Sequence, residues 1–300
     1  MTQAIPKSSP VSRRKLWAWR IVRAVLLVYL GVMLVISMLQ ELLIFPGHSS
    51  QGQKYAQITP SADSELVPLD TSNGDRIFVL FGKAMNADGS IRDDTSRAPT
   101  IIMFYGNAMT LSDIIGLCRS WRKLGANVIG VEFPGYGMSS GKPGEQSFYA
   151  AADAAWEYLA KRPDIDPSKI IPAGLSIGTG VAVELAARKP AAGLILLAPF
   201  TRMIDLAHDV LPWLPISTFL RHHFDNQSKM ADLKMPILIV HGNHDSIIPT
   251  DMSRRLASAA TRAQVTSVFL DSDHNDLLEK GHEQIDAEVG KLIRSFQPAR

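Results

Sequence analysis

Apolar residues of this chain fall into short runs that alternate, after residue 63, with stretches of helical periodicity. Strands are predicted at 64–70, 76–82, 100–106, 127–133, 169–175, 193–199, 236–242 and 264–271. Helices are predicted at 111–125, 147–162, 177–190, 250–260 and 277–296. This alternation is typical of an α/β fold with a mostly parallel central sheet flanked by helices.

Two segments depart from the alternation. The first two predicted strands flank Thr71–Asp75, which contains Asn73-Gly74, and this turn predicts an antiparallel hairpin at the start of the sheet. Residues 200–235 hold several prolines and aromatic residues between two predicted strands. We expect them to form a short lid inserted above the sheet.

The N-terminus carries a different pattern. Residues 1–23 contain six basic and no acidic residues, among them Lys7, and the run from Ala24 to Leu39 has no charge. We predict a single transmembrane anchor at 24–45, followed by a turn-rich linker at 46–63 and a catalytic domain at 64–300. The basic flank predicts a cytoplasmic N-terminus and a catalytic domain on the periplasmic or lumenal side.

Two other interpretations of the apolar run remain open. A cleaved signal peptide has the same basic start and apolar middle, but ISMLQELLIFPG offers no small-x-small cleavage site. A buried core helix would be amphipathic, whereas this run is apolar on every side. The sequence therefore favours a retained signal-anchor.

Composition excludes several classes of protein. Of the 300 residues, 46% are hydrophobic and 20% are charged, which excludes a disordered chain. A net charge of +2 indicates no nucleic-acid partner. The single cysteine, Cys118, excludes a disulfide framework, and His241 and His244 lack the spacing of a metal site, so no metal is predicted.

The candidate nucleophile is Ser176, which follows the predicted strand 169–175 and precedes a predicted helix. Its neighbours Gly174 and Gly178 complete the G-x-S-x-G spacing of a nucleophile elbow. Glycine is needed at both places because strand and helix approach closely there. The pentapeptide alone would also fit an ordinary glycine-rich turn, so its position between strand and helix is what favours the elbow.

A serine nucleophile needs a base and an orienting carboxylate. Asp245 follows strand 236–242 and His274 follows strand 264–271, which is the Ser, Asp, His order of this fold. His282 lies further along in the C-terminal helix, and Asp251 fits the first turn of a helix, so both are weaker candidates.

Acyl transfer also needs N–H donors for the oxyanion. The backbone N–H of Ile177, directly after the nucleophile, is one candidate. The second is the N–H of Asn107, in the loop that follows strand 100–106 and turns at Gly106.

Five motifs together resemble the α/β-hydrolase superfamily. They are FYGNA at 104–108, EFPGYG at 132–137, GLSIG at 174–178, HGNHD at 241–245 and DSDHND at 271–276. With the apolar N-terminus, the chain is most similar to the membrane-anchored alpha/beta hydrolase domain-containing proteins. The resemblance implies Ser176 as nucleophile, Asp245 as acid, His274 as base, and Asn107 and Ile177 as oxyanion donors.

Two motifs depart from the pattern of these relatives. Tyr105 stands where their His-Gly-Asn-Ala motif has histidine, and Glu132-Phe133-Pro134 replaces Asp-Tyr-Arg in the Asp-Tyr-Arg-Gly-Tyr-Gly motif. Neither change affects the three triad positions, but the first leaves open how the oxyanion loop is held.

The sequence thus predicts a serine hydrolase that cleaves a carboxylic ester or thioester through an acyl-serine and uses no cofactor. The expected partners are a small-molecule or lipid acyl substrate and the bilayer, with the oligomeric state undetermined. A serine peptidase or amidase on the same fold is one alternative. A non-catalytic, membrane-tethered binding protein is the other.

Overall fold

A computed structural model describes residues 13–297 of the chain. The chain divides into two compact units, with the boundary between Gln40 and Glu41. Lys7 and the rest of the predicted basic segment before Arg13, together with the last three residues, lie outside the described residues.

Helix α1 runs from Arg13 to Ile44, and its 32 residues reach a mean hydropathy of 2.4 over the most apolar window. By length and composition it is able to cross a membrane, a test that a signal sequence also passes. The helix begins eleven residues before the predicted anchor at 24–45, because residues 13–23 are rich in arginine, a good helix former, and contain no glycine or proline. It ends before Pro46, which disfavours helical backbone at Phe45.

The second unit is built around an eight-stranded sheet. The strands are Ser64–Asp70 (β1), Arg76–Gly82 (β2), Thr100–Phe104 (β3), Asn127–Val131 (β4), Ile170–Leu175 (β5), Leu194–Leu197 (β6), Ile237–Gly242 (β7) and Val265–Leu270 (β8). Their order is β1-β2-β4-β3-β5-β6-β7-β8. Strand β2 pairs antiparallel with both β1 and β4, and all other neighbours pair parallel. The predicted, mostly parallel α/β sheet is confirmed.

Among the described residues, seven further α-helices flank the sheet or lie in its connections. They are Ile115–Lys123 (α2), Glu145–Ala160 (α3), Ile177–Arg188 (α4), Met203–Val210 (α5), Asn226–Met230 (α6), Thr250–Ala259 (α7) and Leu277–Ser295 (α8). Strands β3 to β7 are buried along their whole length, as expected of a sheet covered on both faces, whereas the edge strands β1 and β8 are largely exposed or half-buried.

The hairpin at the start of the sheet has the predicted turn. Asp70 pairs with Arg76, and Gly74 closes the turn with a φ of +86°. Only glycine adopts this backbone conformation without cost, which accounts for the Asn-Gly pair at this position.

Residues 46–63, which the sequence indicates as a linker, belong to the second unit and pack against the rest of it. Phe45 and Ala56 have no exposed surface, and the Phe45 ring lies 5.2 Å from the ring of Phe148 and 4.9 Å from that of His222. The segment's polar composition conceals this packing because its contacts are largely backbone hydrogen bonds, such as Gly52 N–H to the Gly137 carbonyl oxygen at 2.8 Å.

Residues 200–235, which connect β6 to β7, hold α5, α6 and irregular chain. The carbonyl oxygen of Thr201 accepts hydrogen bonds from the N–H groups of Asn226 and Gln227, which closes the base of this insertion. Val210 and Trp213 expose large apolar side chains near its tip.

Candidate active site

Ser176 occupies the tight turn between β5 and α4. Its φ of +51° lies in the region that favours glycine, so the side chain is held on a strained backbone. The Ser176 N–H donates to the Leu197 carbonyl oxygen of β6 at 2.9 Å, and the Ser176 carbonyl oxygen accepts from the Thr179 N–H at 2.9 Å. These bonds fix the hydroxyl at the carboxyl edge of the sheet, where ligands bind in open parallel sheets.

The two flanking glycines are required by packing. A Cβ at Gly174 would lie 2.3 Å from the carbonyl oxygen of Gly178, and a Cβ at Gly178 would lie 2.2 Å from that of Phe104. Both obstacles are backbone atoms, which have no room to move aside. The turn can therefore form only with glycine at these two positions.

The structure brings Ser176, His274 and Asp245 into one hydrogen-bonded chain. The Oγ of Ser176 lies 3.1 Å from Nε2 of His274, and Nδ1 of His274 lies 2.7 Å from Oδ2 of Asp245. Asp245 is ionised, so Nδ1 carries the proton that it donates, which leaves Nε2 free to accept one from the serine. The side chain of His274 is 11% exposed and that of Asp245 has no exposed surface.

Backbone and side-chain donors surround the Asp245 carboxylate. Its Oδ1 accepts from the N–H groups of Ile247 at 2.9 Å and Ile248 at 2.6 Å. Burial opposes ionisation, but the hydrogen bonds from His241, His274 and Ile248 outweigh it and lower the pKa of Asp245. The carboxylate is therefore charged throughout the neutral range.

His241 is a component of this site that the sequence did not predict. It is fully buried at the end of β7, with Nε2 3.0 Å from Oδ2 of Asp245 and 3.0 Å from the carbonyl oxygen of Ile248. Its Nδ1 lies 2.5 Å from the Ser253 hydroxyl, which donates to it. Asp245 thus lies between two imidazoles, and only the four-residue spacing of His241 and Asp245 hinted at this contact.

The two loops that carry Asp245 and His274 are joined to each other. Oδ1 of Asp273 accepts from the Ser246 hydroxyl at 2.9 Å and also from the backbone N–H of His274. This carboxylate, beside His274 and opposite Asp245, fixes the spacing between the β7 and β8 loops.

The loop after β3 runs beside Ser176. A Cβ at Gly106 would lie 3.5 Å from that of Ser176, so Asn107 lies close to the serine. Within residues 13–297 the N–H of Asn107 donates no hydrogen bond. Ile177 is the first residue of α4, where N–H groups have no partner within the helix. Both predicted oxyanion donors are therefore available.

Comparison with known proteins identifies the family. The sequence model of the dienelactone hydrolase family matches residues 137–275. An uncharacterized protein of Mycobacterium tuberculosis is 33% identical over 269 residues, which cover 89% of this chain and 91% of that protein. Alpha/beta hydrolase domain-containing protein 17B of Xenopus laevis is 36% identical over 191 residues, 62% of this chain and 60% of that protein.

Solved structures share the fold at low sequence identity. The esterase Pf2001 of Pyrococcus furiosus superposes with a TM-score of 0.61 at 16% identity, over 77% of this chain and 90% of that one. An alpha-beta hydrolase of Vibrio vulnificus gives a TM-score of 0.61 at 21% identity, over 75% and 81%. The chain belongs to the α/β-hydrolase superfamily.

The two departures from its α/β-hydrolase relatives form one buried contact. The hydroxyl of Tyr105 donates to Oε1 of Glu132 at 2.6 Å and accepts from the Phe133 N–H at 3.0 Å. Oε1 of Glu132 also accepts from the Leu111 N–H at 3.0 Å. Tyr105 and Glu132 together therefore tie the loop after β3 to the loop after β4, which shows how the loop that carries Asn107 is held.

The weaker candidates lie elsewhere in this α/β hydrolase. His282 is on α8, where Nδ1 lies 3.0 Å from the carbonyl oxygen of Glu279, and Asp251 is in the first turn of α7. In the described part of the chain, no group of three or more His, Cys, Asp or Glu residues is arranged to hold a metal ion.

Proposed function

We propose that this protein is a serine hydrolase that cleaves a carboxylic ester or thioester through an acyl-serine intermediate. The observation that carries the proposal is the hydrogen-bonded chain Ser176–His274–Asp245 at the carboxyl edge of the sheet. It contains a nucleophile, a base and an orienting acid in the geometry that acyl transfer requires.

Acylation begins when Nε2 of His274 takes the Ser176 proton while Oγ attacks the carbonyl carbon of the substrate. The negative charge that develops on the carbonyl oxygen is stabilised by the N–H groups of Ile177 and Asn107. The tetrahedral intermediate then collapses, the bond to the leaving alcohol or thiol breaks, and His274 returns the proton to that group.

Deacylation repeats these steps with water. His274 removes a proton from the water while the water oxygen attacks the acyl carbon. His274 then gives this proton to Oγ of Ser176 as the carboxylic acid leaves. Asp245 keeps the imidazole in the required tautomer and stabilises its charged form in both halves. The chemistry needs no cofactor.

We also propose that α1 is a retained membrane anchor, with the N-terminus in the cytoplasm and the hydrolase on the other side. Its apolar surface and the five basic residues between Arg13 and Arg23 support this orientation. An amphiphilic acyl substrate and the bilayer would then be the partners of the enzyme.

The test uses the full chain in detergent micelles, a fluorophosphonate that labels activated serines, and p-nitrophenyl esters of graded chain length. We expect labelling and ester hydrolysis, and we expect Ser176→Ala to remove the label and lower kcat by about 10³-fold or more. The control is Ser258→Ala, at a serine of α7 whose hydroxyl donates to the Arg254 carbonyl oxygen. This variant should keep both the labelling and the ester hydrolysis.

Several outcomes would count against this proposal. Labelling that persists in Ser176→Ala would assign the nucleophile elsewhere, and a wild-type protein that neither labels nor hydrolyses would favour a binding protein. Faster turnover of peptide or amide substrates than of esters would favour the peptidase alternative.

A further inference from the structure

The chain that leaves α1 contacts the loop that carries a proposed oxyanion donor. Nδ2 of Asn107 donates to the carbonyl oxygen of Ile44, the last residue of α1, at 2.6 Å. Oδ1 of Asn107 accepts from the Tyr136 hydroxyl at 3.1 Å. Both ends of the side-chain amide are therefore held, one by the end of α1 and one by the loop after β4.

Residues Ile44–Gly52, here called the anchor-exit segment, also hold Tyr136 in place. A Cβ at Gly47 would lie 2.0 Å from Cε1 of Tyr136, so the glycine backbone lies directly against the ring. The Gly137 N–H donates to the Ser50 hydroxyl at 3.0 Å, and the Gly52 N–H donates to the Gly137 carbonyl oxygen at 2.8 Å. Tyr136 itself is 1% exposed, so its ring has little freedom to move.

The same amide stabilises an unfavourable backbone conformation. Ala108 has a φ of +60°, which costs free energy for a residue with a Cβ. Its N–H donates to Oδ1 of Asn107 at 3.1 Å, which compensates part of that cost. Without the amide, the turn at 107–108 would relax, and the direction of the Asn107 N–H would change with it.

We propose that the anchor-exit segment is part of the oxyanion machinery: it positions the Asn107 N–H through the Ile44 carbonyl oxygen and through Tyr136. This inference rests on the proposed function, because the N–H matters only if Ser176 forms a tetrahedral intermediate. Ile44 and Tyr136 are positioning residues and touch no reacting atom.

The expected kinetic effect is specific. The Asn107 N–H faces full negative charge only in the transition state, so misplacing it lowers kcat and leaves KM nearly unchanged. Loss of one positioning hydrogen bond should lower kcat by about three- to tenfold. Loss of the whole side-chain amide should lower kcat by about a hundredfold, as for the loss of an oxyanion donor.

The first test is a double-mutant cycle on the full chain, with kcat expressed per active site titrated by fluorophosphonate. Tyr136→Phe keeps the ring and removes the hydroxyl, and we expect it to lower kcat in the wild type but not in the Asn107→Ala background. Tyr149→Phe removes another buried hydroxyl, the one that donates to Glu145 at 2.8 Å, and should leave kcat unchanged in both backgrounds.

The second test moves the anchor-exit segment itself. Gly47→Ala should displace the Tyr136 ring and lower kcat at constant KM, whereas Gly116→Ala in α2, where a Cβ has no atom within 4 Å, should not. Asn107→Asp keeps the acceptor for Tyr136 but loses the donor to Ile44, so it should lower kcat by about three- to tenfold, as expected for the loss of one positioning hydrogen bond.

The outcomes separate the two proposals. Equal losses from Tyr136→Phe in the wild-type and Asn107→Ala backgrounds would overturn the positioning role while leaving the serine mechanism standing. A rise in KM at constant kcat would also overturn it, since that result indicates lost substrate binding. Only a failure of Ser176 labelling would overturn the function on which the inference rests.

Discussion

At the residue scale, the Asp245 carboxylate depends on a donor outside the predicted triad. Oδ2 of Asp245 faces both His241 and His274, while Oδ1 is held by backbone N–H groups. His241 has no exposed surface and also contacts Ser253 and Ile248, so it cannot turn away from the carboxylate. Its hydrogen bond lowers the pKa of Asp245, since it stabilises the ionised form.

Replacing His241 should therefore change the pH dependence of the reaction. In His241→Leu the Asp245 carboxylate has one donor fewer, so its pKa rises and its charge attracts the imidazolium form of His274 more strongly. We expect the acid limb of kcat/KM to move to higher pH and kcat to fall by about three- to tenfold. The measurement is a profile of kcat/KM from about pH 5 to about pH 9.

Two variants serve as controls for His241. His241→Gln keeps a donor of similar reach and should restore most of the wild-type profile. His244→Gln changes an imidazole on the same loop that is 71% exposed and pairs with Asp271, and it should have no effect. A His241→Leu enzyme that loses stability but keeps the wild-type profile would show that His241 serves packing alone.

At the scale of elements, the turn from β5 to α4 leaves no room for a side chain at Gly178. Gly178→Ala would place a methyl group 2.2 Å from the Phe104 carbonyl oxygen of β3. We expect a loss of about 1–3 kcal/mol in the free energy of unfolding, or more, together with a large loss of kcat. Thermal unfolding followed by circular dichroism and ester hydrolysis at saturating substrate measure the two effects.

The matched control is Gly116→Ala in α2, where a Cβ has no atom within 4 Å. Alanine has the higher helix propensity, so this variant should be neutral or stabilised by up to about 1 kcal/mol. If Gly178→Ala were as stable and active as Gly116→Ala, the close approach of α4 to β3 would not be required for the site.

The contact between the β3 and β4 loops predicts a distinct dependence of stability on pH. Burial raises the pKa of Glu132 from 4.5 to about 6, against the hydrogen bond from Tyr105. The folded state therefore binds a proton more tightly than the unfolded state, and this residue's contribution to stability falls as pH rises from about 4.5 to about 6. The size of that fall is about 2 kcal/mol.

Glu132→Gln should remove this fall, because glutamine keeps an acceptor for Tyr105 and does not titrate. The free energy of unfolding of the variant, measured relative to the wild type, should rise by about 2 kcal/mol between about pH 4 and about pH 7. Glu157→Gln, at an exposed position of α3, controls for the loss of one charge. A flat difference between variant and wild type would mean that Glu132 has the same pKa in the folded and unfolded states.

At the scale of the whole molecule, the sequence predicts what short-range signals determine. The strands, the hairpin at Gly74 and the alternation with helices were predictable because each depends on a local pattern of apolar residues and turns. The order β2-β4-β3-β5 was not, since it depends on which strands pair across long loops. For the same reason the contacts of Ile44, His241 and Glu132 were missed: each joins residues that are polar or unremarkable in sequence and close only after folding.

The last prediction concerns the place of the molecule in the cell. If α1 is retained, the full chain should stay in the membrane pellet after alkaline carbonate extraction, and its intact mass should include the N-terminal residues. Leu30→Arg combined with Leu34→Arg should release the protein from the membrane pellet, because an arginine near the centre of a spanning helix costs about 2.5–3.5 kcal/mol.

A C-terminal reporter that is active only in the cytoplasm should be silent in the wild type. It should gain activity when the basic residues between Arg13 and Arg23 are neutralised, since these set the orientation. A soluble product whose mass corresponds to a chain that starts after the apolar run would identify α1 as a cleaved signal. The anchor-exit segment would then have to hold Asn107 without the helix before it.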